Sequence, residues 1–255
     1  MRLNIALCAS RNWLLYSATT VASILCNAKE DESHYFYILS NDFDEKEKNY
    51  FYSLNRIKDA HYHFIKVDDT EFDGAIHDWL GVSASYRLKL PSLVNEDKCL
   101  YLDSDIIALQ TIRKLYSQDI SDYYLGAVED KSSTMMKTRV NLNENQTFFN
   151  SGMLLLNLRK FREDDLEKKI FEILRTNDYY TDQDVLNDVC KEKFLSLPLK
   201  YNLMHSTKGY SGREEEKEIA LSNPVLYHFI CKPWESTKVD RYNDWLKFRN
   251  MIIET

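Results

Sequence analysis

The chain has 255 residues and a formal net charge of −7, and 44% of its residues are hydrophobic and 13% aromatic. This composition is typical of a folded domain with a sizeable core, and the negative charge argues against nucleic acid as a partner, because proteins that bind nucleic acid usually present a basic surface. The five cysteines are scattered and form no Cys-x-x-Cys pair, which argues against a disulfide framework and a structural zinc site.

The N-terminal apolar run does not resemble a membrane segment. Leu3 to Leu7 is apolar, but Arg11 and Asn12 end the run, and no stretch approaches the ~18 apolar residues of a membrane span. We therefore expect a cytoplasmic protein, at most peripheral at the inner face of a membrane.

The first quarter of the chain alternates between predicted strands and helices, which indicates an α/β fold with a mostly parallel sheet and helices on both faces. These elements are strand Asn4–Cys8, helix Ser17–Asn27, strand His34–Leu39, helix Glu45–Ile57 and strand His63–Val67. The later predicted elements are helix Tyr86–Val94, strand Lys98–Leu102, strand Gly152–Leu158, helix Phe161–Arg175 and helix Asp182–Val189, with Asp182 as a candidate helix cap.

Two aspartates follow the predicted strand Lys98–Leu102. Asp103 and Asp105 are two positions apart, so in an extended backbone their side chains point to the same side. Burying such charges alone is costly, and carboxylate oxygens favour Mg²⁺ or Mn²⁺. The pair therefore predicts a metal site that can hold a diphosphate.

The glycines do not supply a phosphate-binding loop. Only six glycines occur, and none forms Gly-x-Gly-x-x-Gly or a P-loop. If the protein binds a nucleotide, a metal and cationic side chains must hold the phosphates.

Four further segments accompany the Asp103-Ser-Asp105 motif, and the five together resemble the motifs of glycosyltransferase family 8 in that family's order. The other four are Tyr86-Arg-Leu-Lys-Leu90, Phe149-Asn-Ser-Gly-Met-Leu-Leu-Leu-Asn157, Asp182-Gln-Asp-Val-Leu-Asn187 and His228-Phe-Ile-Cys-Lys-Pro-Trp234. One such motif is a weak signal, but five in register are specific, and they span nearly the whole chain.

The resemblance implies a GT-A (Rossmann-like) fold over residues 1–235, followed by a C-terminal helical tail over residues 236–255. It also implies a hexosyltransferase that uses Mn²⁺ or Mg²⁺ to move glucose or galactose from UDP-glucose or UDP-galactose to a saccharide or glycolipid acceptor. The family retains anomeric configuration, so the implied product is an α-linkage, and the implied setting is the synthesis of lipopolysaccharide or another surface glycan.

The resemblance further implies roles for single residues. Asp103, Asp105 and His228 would hold the metal, and Lys232 would reach the diphosphate, where a cation near the leaving oxygen lowers the barrier. The other implied donor-binding residues are Ala9, Ser10, Asn12, Arg87, Ser104, Asn150, Ser151, Asp182 and Gln183, and the implied catalytic set is Asp130, Asp182 and Gln183.

Retention through two displacements needs a nucleophile on the opposite face of the sugar. The resemblance places Gln183 nearest that face, and an amide is a poor nucleophile. We therefore prefer a front-face path in which the leaving phosphate helps to deprotonate the acceptor, with Asp184 as a reserve nucleophile.

The sequence departs from the family at two points. Family members commonly carry an acidic pair after the first strand, where this chain has Ser10-Arg11, so the carboxylate that can accept from a uracil ring is missing. The spacer between His228 and Lys232 is only three residues long and lacks glycine, whereas the family spacer is usually longer and contains glycine.

Two alternative interpretations of the function remain. An Asp-x-Asp phosphatase would use the first aspartate as a covalent nucleophile, but it leaves the segment His228 to Trp234 unexplained. A non-catalytic pseudo-glycosyltransferase would keep the fold and bind the UDP-sugar.

Two further features remain open. The tail from Trp234 to Ile253 either touches a membrane or docks as a terminal helix. His77 is an additional candidate for the active site.

Overall fold

The structure is a computed structural model that describes residues 1–75, 81–130, 134–140, 142–143, 145–177, 181–204 and 214–254. The candidate His77 lies outside the described residues.

The strands of the described residues form two sheets. One has seven strands in the order β3-β2-β1-β4-β7-β6-β8, and the other has three in the order β5-β10-β9. The strands are β1 Arg2–Cys8, β2 Ser33–Ser40, β3 Ala60–Lys66, β4 Lys98–Leu102, β5 Ile106–Ala108, β6 Leu125–Glu129, β7 Phe149–Asn157, β8 Phe194–Leu197, β9 Leu203–Met204 and β10 Leu226–His228.

The large sheet is mostly parallel, as the alternating pattern predicts. β1 pairs in parallel with β2 and β4, β2 pairs in parallel with β3, and β6 pairs in parallel with β8, whereas β7 runs antiparallel to β4 and β6. The predicted strand Lys98–Leu102 matches β4 in full, and the other predicted strands overlap β1, β2, β3 and β7 with displaced ends.

The helices of the described residues connect these strands. They are α1 Leu14–Cys26, α2 Glu45–Tyr52, α3 Leu90–Leu93, α4 Arg113–Tyr116, α5 Thr134–Arg139, α6 Leu158–Glu163, α7 Leu166–Leu174, α8 Asp182–Cys190, α9 Glu214–Ser222 and α10 Tyr242–Arg249. Short 3-10 helices span Arg11–Trp13, Ser53–Arg56, Asp69–Phe72, Val82–Lys89 and Leu199–Tyr201.

Two hydrophobic cores lie on opposite faces of the large sheet, because successive side chains of a strand point in opposite directions. In β1, Ile5 and Leu7 enter the core that contains α1 and α10, whereas Ala6 and Cys8 enter the core that contains α7 and α8. β4 divides in the same way, with Leu100 in the first core and Tyr101 in the second. Helices therefore cover both faces, as predicted.

Several predicted helix boundaries are wrong for local reasons. The predicted helix Phe161–Arg175 is two helices, because the chain turns at Asp165, whose φ of 55° is a left-handed conformation that aspartate tolerates. The first of them, α6, already begins at Leu158, because the Asn157 side chain accepts a hydrogen bond from the backbone N–H of Lys160 and caps the helix. The predicted helix Glu45–Ile57 leaves the α conformation after Tyr52 and continues as a 3-10 helix.

The small sheet brings the end of the sequence to the Asp-x-Asp motif. β10 runs antiparallel to β5, with His228 opposite Ile106, and the Phe229 N–H donates to the Asp105 carbonyl at 2.9 Å. Because β5 follows Asp105 directly, this pairing fixes His228 beside the two aspartates.

The C-terminal helix α10 packs on α1. Its Trp245 and Phe248 are buried, as is Ile252 beyond it, and all three belong to the same core as α1. No helix in the described ranges combines the length and the apolar character needed to span a membrane. The predicted boundary at residue 235 stays a prediction.

Candidate functional site

A cleft of about 870 Å³ opens beyond the carboxyl ends of β1, β2 and β4. In open α/β sheets, ligands bind outside the carboxyl ends of the strands, because the loops there are free to vary while the sheet fixes their start. Of the predicted site residues, those that line the cleft are Ala9, Ser10, Arg87, Asp103, Ser104, Asp105, Ser151, Asp182, Gln183 and Lys232.

The three predicted metal ligands lie together at this cleft. One ligand atom each from Asp103, Asp105 and His228 lies within 4.8 Å of the other two. His228 Nε2 is 3.2 Å from Asp105 Oδ1 and 3.9 Å from Asp103 Oδ2. We call these three residues the carboxylate–histidine cluster.

The hydrogen bonds behind His228 determine which of its ring nitrogens carries the proton. The Gly152 N–H donates to Asn150 Oδ1 at 3.0 Å, so this oxygen accepts, and the Asn202 amide donates to it at 2.8 Å. Asn202 Oδ1 therefore faces His228 Nδ1 at 3.0 Å, and Nδ1 must be the donor. In the neutral imidazole, Nε2 then presents a lone pair to Asp105.

This arrangement fits a cation. Asp105 Oδ1 is buried and accepts no well-formed hydrogen bond among the described residues, although it lies close to Nε2. Burial favours the neutral imidazole, but Asp105 outweighs it and raises the pKa of His228. Two lone-pair-bearing atoms at this distance need a proton or a metal ion between them, and a carboxylate pair with one imidazole is a suitable donor set for Mn²⁺ or Mg²⁺.

Lys232 contacts the cluster. Its Nζ donates to Asp105 Oδ2 and, at 3.3 Å, to the Phe229 carbonyl. Burial disfavours a charged Asp105, but His228 and Lys232 together hold the pKa of Asp105 well below its ordinary value. The short spacer therefore still brings the lysine to the cluster, and the carboxylate stays ionised.

Arg87 is a buried clamp between two predicted site residues. Its guanidinium lies 2.9 Å from Asp103 Oδ1 and 3.0 Å from Asp182 Oδ2, and it donates to the Ser151 carbonyl at 2.6 Å. The family resemblance implies that Arg87 binds the donor sugar nucleotide. In this structure the N–H groups of Arg87 bind protein groups instead, and its planar guanidinium suits that task. Burial raises the pKa of Asp182, and Arg87 opposes this effect.

Gln183 is fixed by the strand that faces it. Its Oε1 accepts from the Ser151 N–H at 2.9 Å and from the Asn150 amide at 3.3 Å. Because Asn150 also bonds to Asn202, one chain of hydrogen bonds links Gln183 to His228.

The interpretation of Asp182 as a helix cap is wrong. Thr181 caps α8, because its hydroxyl accepts from the Asp184 N–H and Asp184 reaches back to the Thr181 N–H. Asp182 is the first helical residue, so its carboxylate is free to face Arg87. Asp184 is fully buried and also bonds to Arg139 at 2.7 Å, so its carboxylate is already committed to protein groups.

Gly152 leaves the space that the cluster needs. A Cβ atom on this residue would lie 2.4 Å from His228 Cε1 and 2.8 Å from Asp103 Oδ2. Both distances are far shorter than van der Waals contact, so a side chain here would displace the cluster.

Four predicted site residues, Asn12, Asp130, Asn150 and His228, are not among the described residues that line the cleft. Asn12 is exposed in the 3-10 turn Arg11–Trp13, and Asp130 follows β6 with its N–H bonded to the Phe148 carbonyl at 2.8 Å. Asn150 and His228 lie behind the lining residues and act through them.

Sequence reasoning missed two residues that contact the cluster. The Tyr101 hydroxyl donates to Asp103 Oδ1, and Tyr101 lies two positions before Asp103, so the strand period could have found it. Asn202 is fully buried and lies 26 positions before His228, and no pattern in the sequence marks it.

Comparisons with known proteins show the family and the fold. A family model described as glycosyl transferase family 8 matches residues 4–238. The chain is 24% identical to General stress protein A of Bacillus subtilis, over 95% of this chain and 91% of that protein, and 29% identical to a lipopolysaccharide 1,2-glucosyltransferase of Escherichia coli, over 96% and 74%. The crystal structure of galactosyltransferase LgtC with donor and acceptor sugar analogs superimposes with a TM-score of 0.86 at 22% identity, covering 100% of this chain and 97% of that one. This likeness shows that the fold is GT-A, as predicted.

Proposed function

The chain belongs to glycosyl transferase family 8, and from this premise we propose that it is a metal-dependent retaining hexosyltransferase that moves glucose or galactose from a UDP-sugar to a saccharide or glycolipid acceptor. The observation that carries the proposal is the carboxylate–histidine cluster, which lies at a cleft large enough for a nucleotide sugar and contacts Lys232. Membership in the family leaves no support for the phosphatase interpretation.

The cluster residues would hold Mn²⁺ or Mg²⁺ against the donor diphosphate. When bound, the metal supplies Lewis-acid stabilisation of the diphosphate leaving group. Asp105 is held ionised and Asp103 is oriented by Arg87 and Tyr101, so both carboxylates are prepared for a cation before it arrives. In this structure Lys232 bonds to Asp105. We assign Lys232 to the diphosphate, which its ammonium group would bind when a metal ion is held by the Asp105 carboxylate.

The surroundings of Gln183 and Asp184 favour the front-face path to an α-linkage. Gln183 Oε1 already accepts hydrogen bonds from the 150–151 segment, and an amide is a poor nucleophile. Asp184 is buried below the helix N-terminus and paired with Arg139, so it is poorly placed to attack a sugar. We therefore assign Gln183 and Asp182 to positioning the sugar and leave deprotonation of the acceptor to the leaving phosphate.

The name of one relative supports the proposed acceptor. The Escherichia coli relative is named for transfer of glucose to lipopolysaccharide, and we propose a surface saccharide or glycolipid as the acceptor here. We also propose that the reaction takes place in the cytoplasm. Contact of the tail with a membrane has less support, because Trp245 and Phe248 of α10 are buried against α1.

Replacing either aspartate of the cluster tests this proposal. Asp103→Ala and Asp105→Ala should each reduce Mn-dependent release of UDP from the donor by at least a hundredfold, since each removes a metal ligand, while circular dichroism stays unchanged. Asp122→Ala, which removes an exposed aspartate in the loop before β6, is the matched control and should keep wild-type turnover. Full activity in both cluster variants would contradict the site assignment.

A further inference from the structure

Three neighbouring parallel strands end at one wall of the cleft, and each is followed by a polar residue that lines it. Ser10 follows β1, Asn41 follows β2, and Asp69 follows β3. These residues come from the strand ends that the carboxylate–histidine cluster does not use, since Asp103 and Asp105 follow β4.

Asp69 is held in a fixed orientation. The Tyr86 hydroxyl donates to Asp69 Oδ1, and the Asn41 amide donates to Asp69 Oδ2 at 3.2 Å. The Arg11 N–H donates to Asn41 Oδ1 at 3.3 Å, which turns the amide nitrogen of Asn41 toward Asp69. Burial raises the pKa of Tyr86, so its hydroxyl remains a donor. Each oxygen of a carboxylate has two lone pairs, so Asp69 keeps one on each for a ligand.

Arg11 does not take the place of a carboxylate at the end of β1. Its guanidinium pairs with Asp42 at 2.8 Å, with Asp44, and with Glu47 at 3.0 Å, and it is absent from the residues that line the cleft. The sequence lacks an acidic residue after β1. Asp69, which follows β3, supplies a carboxylate on the same wall of the cleft.

We propose that the Asp69 carboxylate accepts a hydrogen bond from the nucleobase of the donor and so selects a base that carries a ring N–H on its Watson–Crick edge. Uracil and guanine have such an N–H, which donates to a carboxylate. Cytosine and adenine have a ring nitrogen lone pair at that position, which the carboxylate repels. Among pyrimidine nucleotides the site should thus accept UDP and reject CDP. The inference rests on the proposed nucleotide-sugar function and adds to it the residue that chooses the base.

The test is the ratio of the dissociation constants of CDP and UDP, measured by calorimetry with Mn²⁺ present. Wild type should prefer UDP at least tenfold, because a hydrogen bond to a charged group contributes about that much or more. Asp69→Asn should bring the ratio within about threefold, since an amide can either donate or accept. Asp69→Ala removes the carboxylate without replacing it, and it should weaken UDP binding more than CDP binding.

Asp73→Asn is the matched control, because Asp73 is an exposed acid that lines the same cleft, and it should keep the wild-type ratio. An unchanged preference for UDP in both Asp69 variants would overturn this inference and leave the proposed function intact. Wild-type protein that binds neither nucleotide would overturn the proposed function and this inference with it. A preference for GDP over UDP that is lost in Asp69→Asn would support the role of Asp69 and replace uridine as the donor base.

Discussion

Gly152 lies on β7 against the carboxylate–histidine cluster, where the structure has no room for a side chain. Gly152→Ala should weaken Mn²⁺ binding by at least tenfold, because its Cβ would meet His228 Cε1 at 2.4 Å and push the imidazole out of line. Titration of free Mn²⁺ by electron paramagnetic resonance measures this loss directly, without any substrate.

Gly126→Ala is the control for the general cost of adding a methyl group to the sheet. Its Cβ would meet the Leu197 side chain at 3.1 Å, in the core and away from the cluster. We expect it to lower the free energy of unfolding by about 1–3 kcal/mol and to leave Mn²⁺ affinity unchanged. Wild-type Mn²⁺ affinity in Gly152→Ala would show that the cluster does not bind the metal in the geometry described.

At the residue scale, the members of the carboxylate–histidine cluster were predictable from the sequence, but the residues that hold them in place were not. Asp103, Asp105 and His228 belong to motifs that can be recognised in the sequence. The supporting contacts of Asn202 and Gly152 depend on which segments meet in three dimensions. Only Tyr101, on the same face of the strand as Asp103, left a periodic signal.

At the scale of elements, Asn202 ties the small sheet to the large one. It precedes β9, bonds to Asn150 on β7 and to His228 on β10, and has no exposed surface. Asn202→Leu should lower Mn²⁺ affinity by 10- to 100-fold, about the usual effect of losing the partner of a metal-binding histidine. Calorimetric titration with Mn²⁺ measures the change.

A second buried asparagine separates this effect from a loss of stability. Asn157 caps α6 and bonds to the carbonyls of Ile120 and Tyr123, away from the cleft. Asn157→Leu should destabilise the fold by about 1–3 kcal/mol, because buried carbonyls lose their donor, and should bind Mn²⁺ as wild type does. Equal Mn²⁺ affinities in the two variants would mean that Asn202 does not position His228.

The order of elements was predictable, and the exceptions have local causes. The βαβαβ pattern predicts the parallel half of the sheet, since two strands joined through a helix pair in parallel. The break at Asp165 and the early start of α6 were missed because they depend on a left-handed aspartate and an asparagine cap. The pairing of β5 with β10 joins residues about 120 positions apart, and periodicity does not report such contacts.

At the scale of the whole molecule, His34 should make the stability depend on pH. It is fully buried in β2, 3.7 Å from Glu32, and burial lowers its pKa from 6.5 to about 4. Below pH 6.5, His34 takes up a proton in the unfolded chain but not in the folded chain. The contribution of neutral His34 to the free energy of unfolding is therefore fully present above pH 6.5 and is lost as the pH falls toward 4. The expected loss is on the order of 2–3 kcal/mol.

Urea unfolding at pH 7, 5.5 and 4.5 measures this dependence. His34→Phe should flatten the decline relative to wild type, because it removes the titrating group and keeps a ring in the core. His61→Phe, which changes an exposed imidazole on β3, should follow the wild-type curve. Identical pH profiles for wild type and His34→Phe would contradict the prediction.

The most direct test of the proposed activity is UDP release from a panel of UDP-sugars, followed by mass spectrometry with and without Mn²⁺. The proposed function predicts Mn-dependent release from UDP-glucose or UDP-galactose, since many glycosyltransferases of this kind hydrolyse their donor slowly without an acceptor. If no UDP is released from any donor when surface saccharides or glycolipids are supplied as acceptors, the proposal that the protein is a glycosyltransferase is contradicted. If UDP then still protected the protein against thermal unfolding, the chain would be a nucleotide-sugar-binding protein without catalysis.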